Sequence, residues 1–350
     1  MGLGVTIGAG LVPDADLTER AAEVVVTQRL GQPATFAIAF TLDIADSDWP
    51  LLADPRLGAG AEIMIAGDEG TECLVYGVVH AQRIRMVTGG ESSSLEVIGG
   101  DHAIMLDRET KIATWPQMTD GEAAVAIMTA ANLLPDAEST PARHLTNQNA
   151  LLQRGTDLAF LNVLARRNGF LFWITSDVLG IRTGHFKRPP VTGTPARSLS
   201  LKDSASALAS LDIEWNVERP TSAVARGLDV ASKSPLSGEA AQTPLPAMGA
   251  LPLAMIATEP RVAMPAVAGN DTGGLGARAE ATLVENGFFI TARCQTTHEA
   301  AGGLIHAHML VEIDGAGTLH SGSYLVSEAI HRIGPRAHVM DLTLIRNAWG

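Results

Sequence analysis

The sequence predicts an α+β protein, mainly β, in which two antiparallel β regions flank a small α/β insert. Three observations carry this reading. Apolar and polar residues alternate with period two near the start of the chain and again in its last third. Tight-turn sequences such as LGQPA, DEGTE and TGGE separate those runs. The best capped helix signals fall between residues 101 and 190. The expected organisation is a first β domain over 1–100, an α/β insert over 101–190 and a second β region over 191–350.

Within 1–100, AEVVVTQRL and ATFAIAFTLDI read as strands, and Phe36, Ile38, Phe40 and Leu42 share one face of the second. DSDWPLLADPRLGAG breaks regular structure at Pro50, Pro55 and Gly58. AEIMIAG, CLVYGVVHAQRIRMV and SSSLEVIGGD complete a set of strands that suits an antiparallel sheet or small barrel.

The pattern changes at Asp101, which can cap a helical turn. Thr119 and Glu122 form a capping box ahead of an apolar stripe of Ala124, Val125, Ile127, Met128, Ala131 and Leu134, and Pro135 is expected to stop that helix. A second helix starts at Thr156 with Asp157 at its positive end. Leu158, Leu161, Leu164 and Ala165 line its face, Arg166 and Arg167 complement its C-terminal turn, and Gly169 ends it. FLFWIT follows as a strand buried on both faces, with VLGIRTGHF as its partner.

Beyond residue 190, strands are expected at 211–218 and in SAVARGLDVAS. The stretch 232–276 holds six prolines and no periodicity, and is expected to be a mobile extended loop. ARAEATLVENGFFITARCQT then gives a helical or extended run and a strand, and IHAHMLVEIDGAG, SGSYLVSEAIHRIG and RAHVMDLTLIRN give three more strands.

Composition excludes several classes. At 350 residues, 46% hydrophobic and 18% charged, the chain can bury a real core. Its net charge of -13 argues against binding nucleic acid through a general basic surface, although an acidic lining would let DNA slide past. Cys73 and Cys294 stand far apart without motif partners, so buried thiols in a reduced compartment are expected rather than a disulfide or a zinc site. No run of about 18 apolar residues predicts a membrane span.

The search for chemistry yields no reaction centre. Six histidines fall in the last third: His298, His306, His308, His320, His331 and His338. His306 and His308 would share one side of a strand, half of a metal site, but no second ligand pair is in register. Ser321 and Ser323 sit beside His320 in a turn with no oxyanion-hole helix after them. Carboxylates such as Asp46, Asp48, Glu285 and Glu299 have no distinguishing spacing. No catalytic, cofactor-binding or metal-binding residue is therefore assigned, and no cofactor is expected.

GTDLAFLNVLARRNGFLFWI resembles the signature of the phage late control gene D proteins and of the valine-glycine repeat protein G family of type VI secretion. EVIGGDHAIMLDRETKIATWPQMTDGEAAVAIM is similar to the segment that precedes it there. LHSGSYLVSEAIHRIGPRAHVMDLTLIRNAW is similar to that family's closing strands, and LGAGAEIMI with VYGVVHAQRI fits its first barrel. Only about 232–276 has no counterpart.

The resemblance implies two tube-protein-like β-barrel domains per chain and a homotrimeric, pseudo-sixfold baseplate hub. Such a ring adapts a hexameric tail tube to a trimeric spike and lines a channel. It implies a tail tube protein, a spike protein and other baseplate components as partners, with DNA or effector cargo only in passage. It implies assembly in the bacterial cytoplasm and then a place in a virion tail or injection particle, without stable membrane insertion. The sequence carries no fused spike module after Gly350, so a separate spike chain is expected. The alternatives are a tail-tip cell-wall hydrolase, which needs an acidic pair in a cleft, and a receptor-binding tail protein, which needs exposed aromatic platforms.

Overall fold

Main-chain pairing joins the two ends of the chain. The strand Gly322–Ile333 runs antiparallel to Ala21–Arg29, with His331 opposite Val26 and Ala329 opposite Gln28. The computed structural model describes residues 4–42, 49–67, 70–88, 92–145, 150–202, 208, 210–229, 232–257, 259–265 and 272–350. The pairing makes both β regions parts of one 13-stranded sheet. On one side of the junction the order is Thr35–Thr41, Ser94–Asp101, Glu72–Arg85, Glu62–Gly67 and Thr6–Ala9. On the other it is His338–Arg346, Ile290–Thr297 and Ser210–Trp215. Leu310–Asp314 and Arg197–Ser200 branch from Gly322–Ile333. The sheet is mainly antiparallel and, among the described residues, its two end strands do not pair with each other.

Each half of this sheet has its own core. Val24, Val26, Phe36, Ile38, Leu95 and Val97 lie on inward faces of the first half, as the period-two pattern requires. Ala292, Tyr324, Val326, Met340, Leu342 and Leu344 do the same in the second half. Cys294 is buried there and Cys73 is half-buried. Both are free thiols, and burial pushes each up to about 12, so neither is a ready nucleophile.

A third core links the helices of the insert to its strands through Ile127, Met128, Leu161, Leu164, Phe172 and Phe186. Asp101 caps the 3-10 turn His102–Asp107 by accepting from the Ala103 N–H. The Thr119–Glu122 capping box opens the helix Asp120–Ala130. Thr156 caps Asp157–Asn168, and Gly169 ends it at φ 67 in the left-handed region. Leu171–Ser176 pairs with Arg182–Lys187. Phe160 packs into this core beside the expected Leu158 face.

Three expectations need correction. The first helix stops at Ala130 rather than Pro135. Asn132 turns the chain at φ 57, and Leu134–Ala137 becomes a strand parallel to Arg182–Lys187. Leu134 consequently faces solvent, and Val125 lies on the outer face of the helix, apart from the buried Ala124, Ile127 and Met128. A two-stranded antiparallel sheet of Lys111–Trp115 with Leu151–Gly155 also forms where none was expected.

The stretch 232–276 is largely built into the fold. Ser234–Ala240 pairs with Ser222–Asp229 at a sheet edge, where Pro235 is tolerated. Gly238 meets the helix Thr272–Gly287 so closely that a Cβ would lie 2.2 Å from the Gly276 nitrogen. Leu245, Met248 and Leu253 are buried. Its polar main chain is satisfied from the C-terminal strand: Asn347 Oδ1 accepts from the Met248 N–H, and Arg346 donates to the Met248 carbonyl.

Candidate functional site

Where the three regions meet, a cavity of about 480 Å³ lies between the strands Ala21–Arg29 and Glu72–Arg85, the strand Leu171–Ser176 and the segment 306–309. His306 and His308 both reach it, but not from a strand, because Leu310–Asp314 begins after them. The expectation that they share one strand face is overturned. They diverge to different partners, and His308 stands at φ 69.

Gln28 organises one wall. Its Nε2 donates to the Leu74 carbonyl at 2.8 Å and lies 3.0 Å from His306 Nδ1, while its Oε1 accepts from the Ala307 N–H at 3.1 Å. An amide NH2 only donates, so Nδ1 of His306 accepts and its Nε2 carries the hydrogen. That Nε2 faces Glu72 Oε1 at 2.9 Å. The result is a polar chain from the first β region into the segment before Leu310.

The opposite wall is aromatic. Trp173 stacks with His308, with ring centroids 4.2 Å apart and planes at 8°, and with His185, at 4.6 Å and 19°. His308 Nε2 accepts from the Gly31 N–H at 3.0 Å. Burial pushes its imidazole down to about 3, so it is neutral at ordinary pH. His185 donates from Nδ1 to Asp136 at 2.6 Å, and burial lowers its pKa too. Trp173 thus stacks with two imidazole rings, and the Lys187 ammonium lies 5.8 Å from its ring centroid. At the cavity floor, the Asp101 carboxyl accepts from the Ala34 and Ala103 N–H groups, and burial raises it to about 7. The chemistry of this site is cohesion: each polar group named here meets a partner from another segment.

Three of the remaining histidines cluster near His306, whose ring centroid lies 6.1 Å from that of His331. His331 Nδ1 lies 2.9 Å from His338 Nε2, and His298 stacks on His338 at 5.4 Å. Among the described residues no group of three His, Cys, Asp or Glu side chains is placed to hold a metal. The His320 carbonyl accepts from the Tyr324 hydroxyl. Ser321 Oγ accepts from the Ala316 N–H, and Ser323 donates to Glu312. Glu285 and Glu299 are exposed on separate helices, and Asp46 and Asp48 lie outside the described residues.

Arg167 does more than complement a helix end. It lies 3.2 Å from Asp120 Oδ1, which also meets His144 Nε2 at 2.8 Å, while Asn168 donates to Oδ2 at 2.7 Å. The Arg166 carbonyl accepts from Arg278. The sequence assigned no role to Gln28 or Asp120, whose only signal was a polar residue at an inward strand or helix position, and placed Trp173 only within the buried strand FLFWIT.

The fold is that of phage tail proteins. The tail protein from Neisseria meningitidis MC58 matches with a TM-score of 0.70 and 15% identity over 99% of this chain and 97% of its own. The 43 kDa tail protein of prophage MuSo2 from Shewanella oneidensis matches with a TM-score of 0.67 and 14% identity over 99% and 100%. The E. coli c3393 protein, a type VI secretion system component, matches with a TM-score of 0.60 and 13% identity over 93% of this chain and 73% of its own. No curated protein matches the chain. The family model described as the Alg8 N-terminal domain matches residues 20–334, and the chain belongs to that family.

Proposed function

We propose that this chain is a structural hub protein of a phage tail or contractile injection system. In this reading three copies form a ring that adapts a hexameric tail tube to a trimeric spike and lines the central channel. The observation that carries it is the full-length likeness in fold to phage tail proteins. The fold supplies further support. The two halves of the sheet, each with its own core, are what two tube-like barrel domains would contribute, each closed only by neighbouring copies. The end strand Ser210–Trp215 leaves its outer edge unpaired among the described residues and exposes Trp215, a liability in a monomer that ring formation would cover.

The partners in this reading are the tail tube protein, a spike protein and other baseplate components, with DNA or effector cargo only in passage. Assembly takes place in the bacterial cytoplasm before incorporation into the particle. Among the described residues no helix is long and apolar enough to cross a membrane. The reading assigns no catalytic role; turnover in a peptidoglycan-degradation assay would contradict that part.

Multi-angle light scattering of the purified chain at micromolar concentration tests the ring, with a trimer mass as the expected result. A stable monomer that associates with neither tube nor spike protein would overturn the proposal.

A further inference from the structure

A second cavity, of about 420 Å³, opens between Glu62 and Val78 of the first β region and, from the insert, the His102–Asp107 turn and the end of the Asp120–Ala130 helix. The chain has 25 Lys and Arg against 38 Asp and Glu, yet this lining inverts the balance, with Arg108, Lys111 and Arg182 against Glu62 and Asp157. Lys111 and Asp157 satisfy each other at 2.6 Å, with Glu109 3.6 Å from the same ammonium. The side chains of Arg108 and the half-buried Arg182 make no hydrogen bond or ion pair among the described residues, although the Arg182 charge helps to lower the pKa of Glu62, after the Tyr76 and His102 hydrogen bonds.

Glu62 is already engaged. The Tyr76 hydroxyl donates to its Oε2 at 2.5 Å, and His102 Nε2 lies 3.3 Å from its Oε1. His102 Nδ1 lies 3.1 Å from the Tyr76 carbonyl, which can only accept, so Nδ1 must donate. Nε2 then faces a carboxylate that also only accepts. Both contacts are satisfied together when the imidazole carries two protons. Burial and the charge of Arg182 oppose that form and lower its pKa. Beside this ring the cavity holds the two guanidiniums of Arg108 and Arg182, neither with a carboxylate at ion-pair distance among the described residues.

We propose that this cavity binds a small anion, a phosphate or a carboxylate group, through Arg182 and Arg108 beside His102. An anion there gives the two guanidiniums an acceptor and offsets the repulsion between Arg182 and a doubly protonated His102. Binding at this site therefore couples to proton uptake and strengthens as pH falls toward the imidazole range.

Isothermal titration of the full chain with inorganic phosphate, and separately with succinate, tests the site. The expected result is binding of at least one of them, tighter at about pH 6 than at about pH 8. Binding of phosphate alone assigns a phosphate-bearing ligand, and binding of succinate alone a carboxylate. Arg182→Gln is expected to weaken binding about tenfold or more while leaving the melting temperature of the ligand-free chain nearly unchanged. In the unaltered chain, the His102 ring resonances should move on anion addition and titrate at higher pH, a readout independent of any variant. No binding of either anion at about 10 mM, or equal binding by an Arg108→Gln/Arg182→Gln double variant, would overturn the proposal.

Discussion

The side-chain amide of Gln28 lies 3.0 Å from Nδ1 of His306, 278 residues further along the chain. Its orientation is set by main-chain groups at both ends, the Leu74 carbonyl and the Ala307 N–H. The amide in turn sets the His306 tautomer and aims Nε2 at Glu72. One buried glutamine thus ties the first β region to the segment that enters the second.

Gln28→Ala should be costly for that reason. It removes partners from Leu74, Ala307 and His306 together and leaves buried polar groups unmet. A loss of about 2–4 kcal/mol is expected, read from the midpoint of urea unfolding at constant slope. A loss below about 0.5 kcal/mol would mean that water takes over these contacts at no cost and that the junction is held elsewhere.

Stability should fall with acid through His308. Its folded pKa is about 3, below the ordinary value of 6.5. Between those values the unfolded chain binds the proton and the folded chain does not, so unfolding is favoured as pH drops from 6.5 toward 3 and the effect levels off below. His331 is also held well below 6.5 by burial and neighbouring histidines, and adds in the same direction. Asp101, raised to about 7, acts oppositely over part of this window, because its folded form keeps a proton that the unfolded chain releases. The difference between the wild-type protein and His308→Phe isolates one group. The variant keeps a ring against Trp173, loses a pH-independent amount with the Gly31 hydrogen bond, and should flatten the stability slope by up to about 1.4 kcal/mol per pH unit. Parallel stability profiles for the two proteins would show that His308 does not titrate as buried.

Arg346 is expected to hold the stretch around Met248 in place. Its side chain is buried, donates to the carbonyls of Met248 and Ser321, and lies over the Tyr324 ring at 5.3 Å. Arg346→Met keeps much of the volume and removes the donors. A loss of about 2–4 kcal/mol should accompany faster proteolytic cleavage within residues 241–257. Unchanged cleavage there would place the anchoring in Asn347, whose side chain bonds the Met248 N–H and the Pro246 carbonyl.

Local signals were legible because their causes are local. The Thr119–Glu122 box, the Thr156 cap and Gly169 each depend on atoms a few residues away. The Lys111–Trp115 strand carries no clean alternation: Ile112 is 84% exposed beside Thr114, while Lys111 shares the half-buried side with Ala113 and Trp115. The 232–276 stretch read as a free loop because what anchors it, Arg346 and Asn347, stands about a hundred residues downstream. Arg167 read as a helix-end charge because Asp120, its partner, is 47 residues away.

The sequence by itself determined the helix caps of the insert, the acidic balance of charge, and which faces of the main strands turn inward, since period, caps and turns act within a few residues. Only the tertiary structure decided that Gly322–Ile333 pairs with Ala21–Arg29 to make one sheet, that Trp173 stacks with both His185 and His308, and that Arg182 and His102 share a cavity. Those relationships span tens to hundreds of residues. They are selected by burial and by the need to partner every buried polar group, conditions that exist only once the whole chain has packed.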